Sequence, residues 1–592
     1  MIRTLSLFFI TIALLSVGLA QQQFTPLDIT VSQKASSEEL GRVVARALNL
    51  NPDFTLEQDV IRQSPKGTYI AFQQTYKGKP LQHAGAKVFI DQKGHIHWAM
   101  DFITRDIKLP TSEADWKLAE QALRFRLLKQ FSTLDVQLAK LWLVDNEKGQ
   151  LIPVWRAWTF SHNQDESYEV IVDAMSGVEL ERSDRAMYHN HRTDADTSGR
   201  ARVWSPNPVT ASGSAYGTIF TDNSDMPNQA FEPYIDTVIL QDIEYANGIF
   251  KLEGPYVTIV DLSANFVDPV TSVNGDFFFT RDQNGWEDVM VYYHLDTYQR
   301  YIQSLGFTNL WGDKPLDADP HGRGDNDNSS FIPNGDNSSL GFGEGGVDDA
   351  EDADVIIHEY GHALAYAGSP NTNTGPERRG LDEGFGDYFA ASFSFDKNSG
   401  GFGWGDVFSW DGHNPFWPGR SADNNAVYQP NPPSFYTHGE LWASSMMEIR
   451  RTIGDTITDR LQFEILYGLS SNMSVADAAR LVIAADWMYN AGRHEAVLRA
   501  TFCRRQILTG AECLLTNVED GIAHTKWTVQ TQTGSVSVDW SSQQEGWEAT
   551  AYDIQGRTIG KLDATHPGLS GLVAGVYVIK MQLNGKDAGA RK

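Results

Sequence analysis

Val355-Ile356-Ile357-His358-Glu359-Tyr360-Gly361-His362-Ala363-Leu364 is an apolar run interrupted by two histidines and a glutamate. In a helix turning about 100° per residue, positions four apart project from one face about a turn apart, so His358 and His362 present two imidazoles to a common point. Two imidazoles so placed can share one metal ion. Glu359, about 100° around from His358, lies near enough to hold a water beside that metal without ligating it.

A tetrahedral metal with an open position takes a third protein ligand. Gly380-Leu381-Asp382-Glu383-Gly384-Phe385-Gly386-Asp387-Tyr388-Phe389 offers one. Glu383 and Asp387 are again four apart on a helical face. The spacing from His362 lets the first helix finish, the chain turn between Gly368 and Gly380, and a second helix return alongside. Glu383 is therefore the expected third ligand, and Asp387 the acceptor that orients His358. By itself such a Glu and Asp pair reads as two solvated helix acids; the histidines upstream change the reading.

Ahead of the first helix runs Val347-Asp348-Asp349-Ala350-Glu351-Asp352-Ala353-Asp354, preceded by an Asn/Asp/Ser/Gly-rich surface loop over 325–339. Carboxylates are favoured at the positive end of a helix dipole, and the run reads as an acidic helix start. Ligation of a structural Ca2+ is its alternative use. Arg420, in Trp417-Pro418-Gly419-Arg420, and His413 could line the site from their Gly/Pro/Trp-rich loop, and neither is assigned a role.

The chain has 592 residues, which at roughly 150 per domain allows about three to five domains. With 41% hydrophobic and 11% aromatic residues it can build real cores, so disorder is excluded as its main state. A net charge of −28 repels phosphate backbones and anionic lipid, which argues against nucleic-acid and membrane-surface partners. Beyond the N-terminus no apolar run is long enough to span a bilayer, so the mature form is expected to have no membrane span. Two cysteines, Cys503 and Cys513, cannot make a disulfide scaffold or a four-cysteine metal site. They read as one short clip, or as two buried thiols.

Residues 1–20 carry Arg3, an apolar stretch from Leu5 to Leu15, and Gly18-Leu19-Ala20 before three glutamines. That pattern is expected to be a secretory signal peptide, which would place the product outside the cell and make the Cys503–Cys513 bridge favourable. Residues 24–188 alternate helical patterns, Ser37 to Leu50 and Glu113 to Phe131, with strands such as Tyr69–Tyr76 and Ala86–Asp91, the latter turning at Gln92-Lys93-Gly94. From about 522 the composition shifts to Ser, Thr, Gly and Val, and Val576-Tyr577-Val578-Ile579-Lys580-Met581 alternates as a half-buried strand does. A separate small β domain is expected over 522–592.

Three resemblances accompany these patterns. Phe342-Gly343-Glu344-Gly345-Gly346 through Asp354 into the histidine helix, then Leu381-Asp382-Glu383-Gly384-Phe385-Gly386-Asp387, resembles the fungalysin family of secreted metalloendopeptidases, relatives of thermolysin. The likeness extends upstream through Trp286-Glu287-Asp288-Val289-Met290-Val291-Tyr292-Tyr293-His294 and downstream to Phe502. Phe72-Gln73-Gln74-Thr75-Tyr76-Lys77-Gly78-Lys79-Pro80-Leu81, with Gly85 and Gly94, is similar to the propeptide of fungalysin and thermolysin precursors, and 112–186 to its companion module. Ala551-Tyr552-Asp553-Ile554-Gln555-Gly556-Arg557 and the segment Leu569–Val578 resemble the C-terminal sorting domain of type IX secretion cargo.

These resemblances imply an α+β multidomain precursor: a signal peptide (1–20), α+β propeptide modules (24–110 and 111–188), a two-lobed zincin of the gluzincin type (189–520) and a C-terminal β-sandwich (522–592). They imply one catalytic Zn2+, Glu359 as general base, protein or peptide substrates, the chain's own propeptide and the type IX secretion machinery as partners, and a secreted or surface-attached product. They also imply that Asn328, in Asn328-Ser329-Ser330-Phe331, grips the substrate backbone. Relatives place an oxyanion-stabilising histidine three residues before a Gly-Glu pair; ahead of Gly439-Glu440 that position is Tyr436, while the histidine is His438. Either side chain can donate. The displacement leaves a second reading, a catalytically impaired peptidase-like binding protein at the cell surface. A different zinc hydrolase built on the same helix is a third, against which the propeptide likeness speaks.

Overall fold

Ser36 accepts a hydrogen bond from the Glu39 amide and starts helix α1 (Ser37–Ala47), as the Ser-x-Glu-Glu pattern predicts. The computed structural model describes residues 23–591 apart from 33–34, 106, 110–115, 117, 132–134, 146–149, 161–167, 185–196, 218, 222–228, 263–266, 399, 517–526, 533–534, 541–546, 554–557, 564–565, 567, 571–576 and 584–585. The expected signal peptide lies outside the described residues, as do residues 113–115 of the second predicted helix and residues 554–557 and 571–576 of the sorting-domain pattern. Two compact units form: residues up to 61 with 68–186, and 62–67 with 187–592.

Among the described residues the first unit is a mixed sheet with two helices. Strands β1 (Gln23–Thr30), β2 (Phe54–Ser64), β3 (Gly67–Tyr76), β4 (Lys79–Asp91) and β5 (His95–Phe102) accompany α1. Helix α2 (Glu120–Phe131), shorter than the predicted Glu113–Phe131, accompanies β6 (Asp135–Asp145), β7 (Gln150–Phe160), β8 (Tyr168–Asp173) and β9 (Glu179–Asp184). The sheet runs β1-β5-β4-β6-β7-β8-β9, with β3 bridging β2 and β4. Val44 of α1 and Leu48 at its C-cap pack on Leu56, Phe72, Val88 and Ile96, whereas Leu123 and Leu127 of α2 pack on Trp155, Val170 and Val172. On the opposite face of β3, Tyr69 is also buried, against Phe89 and Trp98. At the β4–β5 turn, Asp91 accepts from the amides of Lys93 and His95 and Gly94 adopts a positive φ.

In the second unit the helices are α3 (Pro208–Ser212), α4 (Gly285–Ser304), α5 (Ala353–Gly368), α6 (Pro376–Asn398), α7 (Tyr436–Ile453), α8 (Asp455–Leu466), α9 (Val475–Asn490) and α10 (Glu495–Arg504). A four-stranded sheet orders Val257–Ile259, Leu316–Asp319 and Ser339–Gly341 in parallel, with Ser330–Ile332 antiparallel at the edge. Tyr366 of α5 rests on Phe331 of that edge strand, ring centroids 5.7 Å apart. Tyr360 of α5 donates to Gln299 of α4 at 2.7 Å, and Tyr388 of α6 donates to Asp459 of α8. Phe389 stacks on Phe463 at 5.0 Å, so α6 is buried between α5 and the helices that follow. Truncating a ring at such a position to Ala costs about 3–5 kcal/mol.

Cys503 and Cys513 are joined by a disulfide that ties α10 to the 3-10 turn Gly510–Thr516. Further along lie two antiparallel sheets, one of Trp527–Gln532, Ser535–Trp540 and Gly568–Ser570, the other of Thr558–Asp563, Trp547–Asp553, Tyr577–Leu583 and Lys586–Arg591. Leu569 of the first sheet lies against Gly560 of the second. The chain is thus a mixed α and β protein of several sheets. Among the described residues no helix is long and apolar enough to cross a membrane.

Candidate metal centre

Asp352 caps α5 by accepting from the Asp354 amide at 3.0 Å, so the end of the acidic run starts the helix that carries the histidines. Val355, Ile356, Ile357, Ala363 and Leu364 are buried, which leaves His358 and His362 on the remaining face, ring centroids 4.8 Å apart. Helix α6 begins at Pro376, ahead of the predicted turn limit at Gly380, because the connection closes within Ser369–Gly375. The two helices meet at glycines. A Cβ on Gly361 would stand 2.8 Å from the Cα of Gly386, so only hydrogen at both positions permits this approach.

That contact brings Glu383 to the histidines. Its Oε2 is 3.4 Å from Nε2 of His358 and its Oε1 is 3.9 Å from Nε2 of His362. One ligand atom from each residue falls within 4.8 Å of the others. Asp387 stands 3.0 Å from Nδ1 of His358, and Asp382 is 2.8 Å from Nδ1 of His362. A carboxylate on Nδ1 fixes the tautomer whose bare Nε2 faces inward. Two inward imidazole nitrogens and one carboxylate are the donor set of an open zinc site, and the residues fit that ion. Glu359 is buried beside the histidines, and its Oε2 has no hydrogen-bond partner among the described residues.

Two parts of the site escaped the sequence reading. Asp382 also accepts from Arg378 at 2.6 Å and from Asn373 at 3.0 Å, so the acid that holds His362 is itself held. Arg378 and Asp382 are four apart on α6, a spacing that would have suggested the pair. The second is Arg420. Its guanidinium lies 3.0 Å from both Glu383 and Asp387 and packs over the Phe408 and Tyr436 rings at 4.8 and 5.0 Å. His413 braces the loop that delivers it, with Nε2 2.9 Å from the Arg420 carbonyl.

The charges reinforce one another. Burial opposes ionisation of Glu383, but His358, His362 and Arg420 outweigh it and bring the carboxyl down to about 2. Burial likewise opposes a charge on His362, yet the hydrogen bond and charge of Asp382, with Glu383 and Glu359, raise it to about 10, so a metal ion would have to displace the Nε2 proton to bind there. Tyr436 has its phenol pushed up by burial and then by the Glu383 carboxylate.

Tyr436 is the first residue of α7 and is 42% exposed, at an open wall of the site. His438 is 1% exposed, stacks on Tyr428 at 5.4 Å, and donates from Nε2 to the Gln429 carbonyl at 2.8 Å. Asn328 is exposed, two residues ahead of the edge strand. From the acidic run, Asp349 groups with Asp327 and Asp411 as a second set able to surround a cation, and Asp354 accepts from Ser394. Nothing further at that set points to a bound ion, and no Ca2+ is assigned to it.

No family model and no curated protein matches the chain. Among solved structures, it is similar to the precursor of protealysin, a metalloproteinase from Serratia proteamaculans, at 15% identity over 43% of this chain and 87% of that one, with a TM-score of 0.34. It is also similar to the Bacillus megaterium YpeB C-terminal domain, at 14% identity over 26% of this chain and 67% of that one, TM-score 0.16.

Proposed function

We propose that the chain is a zinc-dependent endopeptidase in which His358, His362 and Glu383 hold the metal and Glu359 is the general base. The observation that carries this is the convergence of two Nε2 atoms and one carboxylate within 4.8 Å, each histidine backed by its own acid, beside a buried carboxylate oxygen with no hydrogen-bond partner among the described residues. A zinc ion held there supplies a Lewis acid that polarises the scissile carbonyl and acidifies the attacking water. Glu359 accepts the proton of that water as its oxygen bonds to the carbonyl carbon. It returns the proton to the amide nitrogen as the C–N bond breaks, so one peptide and one water become a carboxylic acid and an amine, which exchange the remaining proton to leave a carboxylate and an ammonium group. Asp387 and Asp382 keep the imidazoles oriented through the cycle, and Arg420 pins Glu383. Ser330–Ile332, the edge strand of its sheet among the described residues, is where an extended peptide would add, with Asn328 beside it.

The reading includes residues 24–188 as an inhibitory propeptide, a secreted product, and 522–592 as a sorting domain. Zinc content and casein cleavage by the purified chain, before and after limited proteolysis, test it, with Glu359→Gln as control. One zinc per chain, activity that appears on processing and its loss in the control are expected. Zinc bound without cleavage after processing would overturn the peptidase assignment in favour of a binding protein on the same scaffold.

A further inference from the structure

Resting on that reading, we propose that Phe408 is a positioning residue of the metal centre, whose ring orients the ligand His358 directly and the ligand Glu383 through Arg420. The short strand Asp406–Val407 pairs antiparallel with Arg420–Ser421, so the chain from 408 to 419 leaves and returns at one place. His413 closes this loop from within, its Nε2 3.2 Å from the Val407 carbonyl and 2.9 Å from that of Arg420. Phe408, the first residue of the loop, is thereby delivered beside Arg420, which follows its last. The Phe408 ring is buried and meets three groups. The His358 imidazole lies 5.1 Å away with the planes 70° apart, the Trp417 ring lies at 5.4 Å, and the Arg420 guanidinium carbon is 4.8 Å from the ring centroid. The same guanidinium stands 3.0 Å from Glu383 and 3.0 Å from Asp387, the acid on Nδ1 of His358. One ring thus touches one ligand and, through one cation, the carboxylate ligand and the acid that orients the first.

Two features separate this contact from ordinary packing. Phe408 has a φ of 61°, in the left-handed region where a Cβ crowds the following carbonyl oxygen and bulky residues are uncommon. Such a backbone persists where its surroundings over-determine it, and it gathers at functional sites. Here the strand pairing before it, the Gly412 amide bonded to the Phe408 carbonyl at 2.7 Å, and the three ring contacts hold it. The second feature is electrostatic. An aromatic ring attracts a cation without engaging its donors, so Phe408, with Tyr436 at 5.0 Å, seats the guanidinium and leaves its N–H groups for the two carboxylates. An aliphatic side chain fills the same space but offers neither that seat nor an edge-to-face partner for the imidazole. A single bond at Nδ1 leaves His358 free to tip about that nitrogen, and the Phe408 contact opposes the tipping.

The test uses the full chain loaded with zinc and, separately, with Co2+ as a spectroscopic probe. Phe408→Leu keeps most of the buried bulk and the same backbone demand while removing the ring. It should raise the rate of zinc loss to a chromophoric chelator about 10-fold or more and shift the visible absorption of the cobalt-loaded chain. Phe408→Met, nearly as bulky and also without a ring, should do the same and serves where the Leu variant does not fold. In an Arg420→Gln background the effect of Phe408→Leu on zinc loss should shrink, because part of the ring's action passes through the guanidinium. A ring that only fills space would lower the melting temperature and move neither metal readout. The inference therefore falls if the folded Leu or Met variant releases zinc at the wild-type rate with a wild-type cobalt spectrum. A wild-type chain that takes up no zinc sinks the metal-centre reading itself and this inference with it, whereas a chain that binds zinc and cuts nothing leaves the inference to be decided by the same metal readouts.

Discussion

Gly386 lies so close to His358 that a Cβ added to it would stand 2.5 Å from Nδ1 of the imidazole. The glycine between Glu383 and Asp387 thus belongs to the metal site, because it lets the ring lie flat against α6 with Nδ1 at Asp387. Gly386→Ala should tilt His358 away from its acid and weaken zinc binding by about 10-fold or more. Overpacking should also cost about 1–3 kcal/mol of stability. Zinc competition against a chromophoric chelator, with a thermal melt, checks both; unchanged zinc affinity would show that the ring has room to move.

Asp382 stands between His362 and a nearly inaccessible Arg378. Asp382→Ala should leave the guanidinium as an unpaired buried charge, at a cost of about 3–5 kcal/mol. Asp382→Asn can still accept from Nδ1 but no longer neutralises Arg378, so it should fall between wild type and Ala in both stability and zinc affinity. Denaturant midpoints and metal titrations of the two variants give the order. Equal zinc affinity in all three would remove Asp382 from the support of His362.

The local part of this centre was legible because its information is periodic. His358 and His362, then Glu383 and Asp387, repeat at the helical spacing, and the glycines among them mark the close approach of α5 and α6. Arg420 was not legible as a partner of Glu383. It arrives from a loop with no periodicity, held by the His413 side chain against the Arg420 carbonyl, and its position follows from packing distant in sequence. The Tyr436 and His438 ambiguity has the same root: both lie in the first turn of α7, and only the docking of α7 through Gly439 separates their directions. The start of α6 was read late, since Pro376 is well suited to a first helical turn but is followed by charged residues that carry no apolar pattern.

Removing the link between Cys503 and Cys513 should loosen α10 and the 3-10 turn behind it without touching the metal centre. A loop this short is worth about 2–3 kcal/mol through restriction of the unfolded chain. A Cys503→Ala/Cys513→Ala variant should therefore melt earlier and bind zinc as wild type does. Loss of zinc together with the bridge would mean that α10 supports the site through α7.

Two buried histidines should bound the stability of the second unit from opposite sides. Burial and the charge of Lys397 push His294 from 6.5 down to about 3, against its bond to the Trp204 carbonyl. Between those values the unfolded chain takes up a proton that the folded chain refuses, so stability falls as pH drops through the window. The slope is about 1.4 kcal/mol per unit at most. For His321 burial also disfavours charge, but Asp288 and Glu344, with Glu287 behind them, raise it to about 10. Here the folded chain keeps a proton that the unfolded chain gives up above 6.5, and the stabilisation present below that value is lost as pH rises toward 10. Denaturant midpoints measured from about pH 4 to about pH 10 for wild type, His294→Gln and His321→Gln should show the first variant flattening the acid limb and the second the alkaline limb. A His321→Gln curve parallel to wild type above neutrality would show that the ring is uncharged between its two acids.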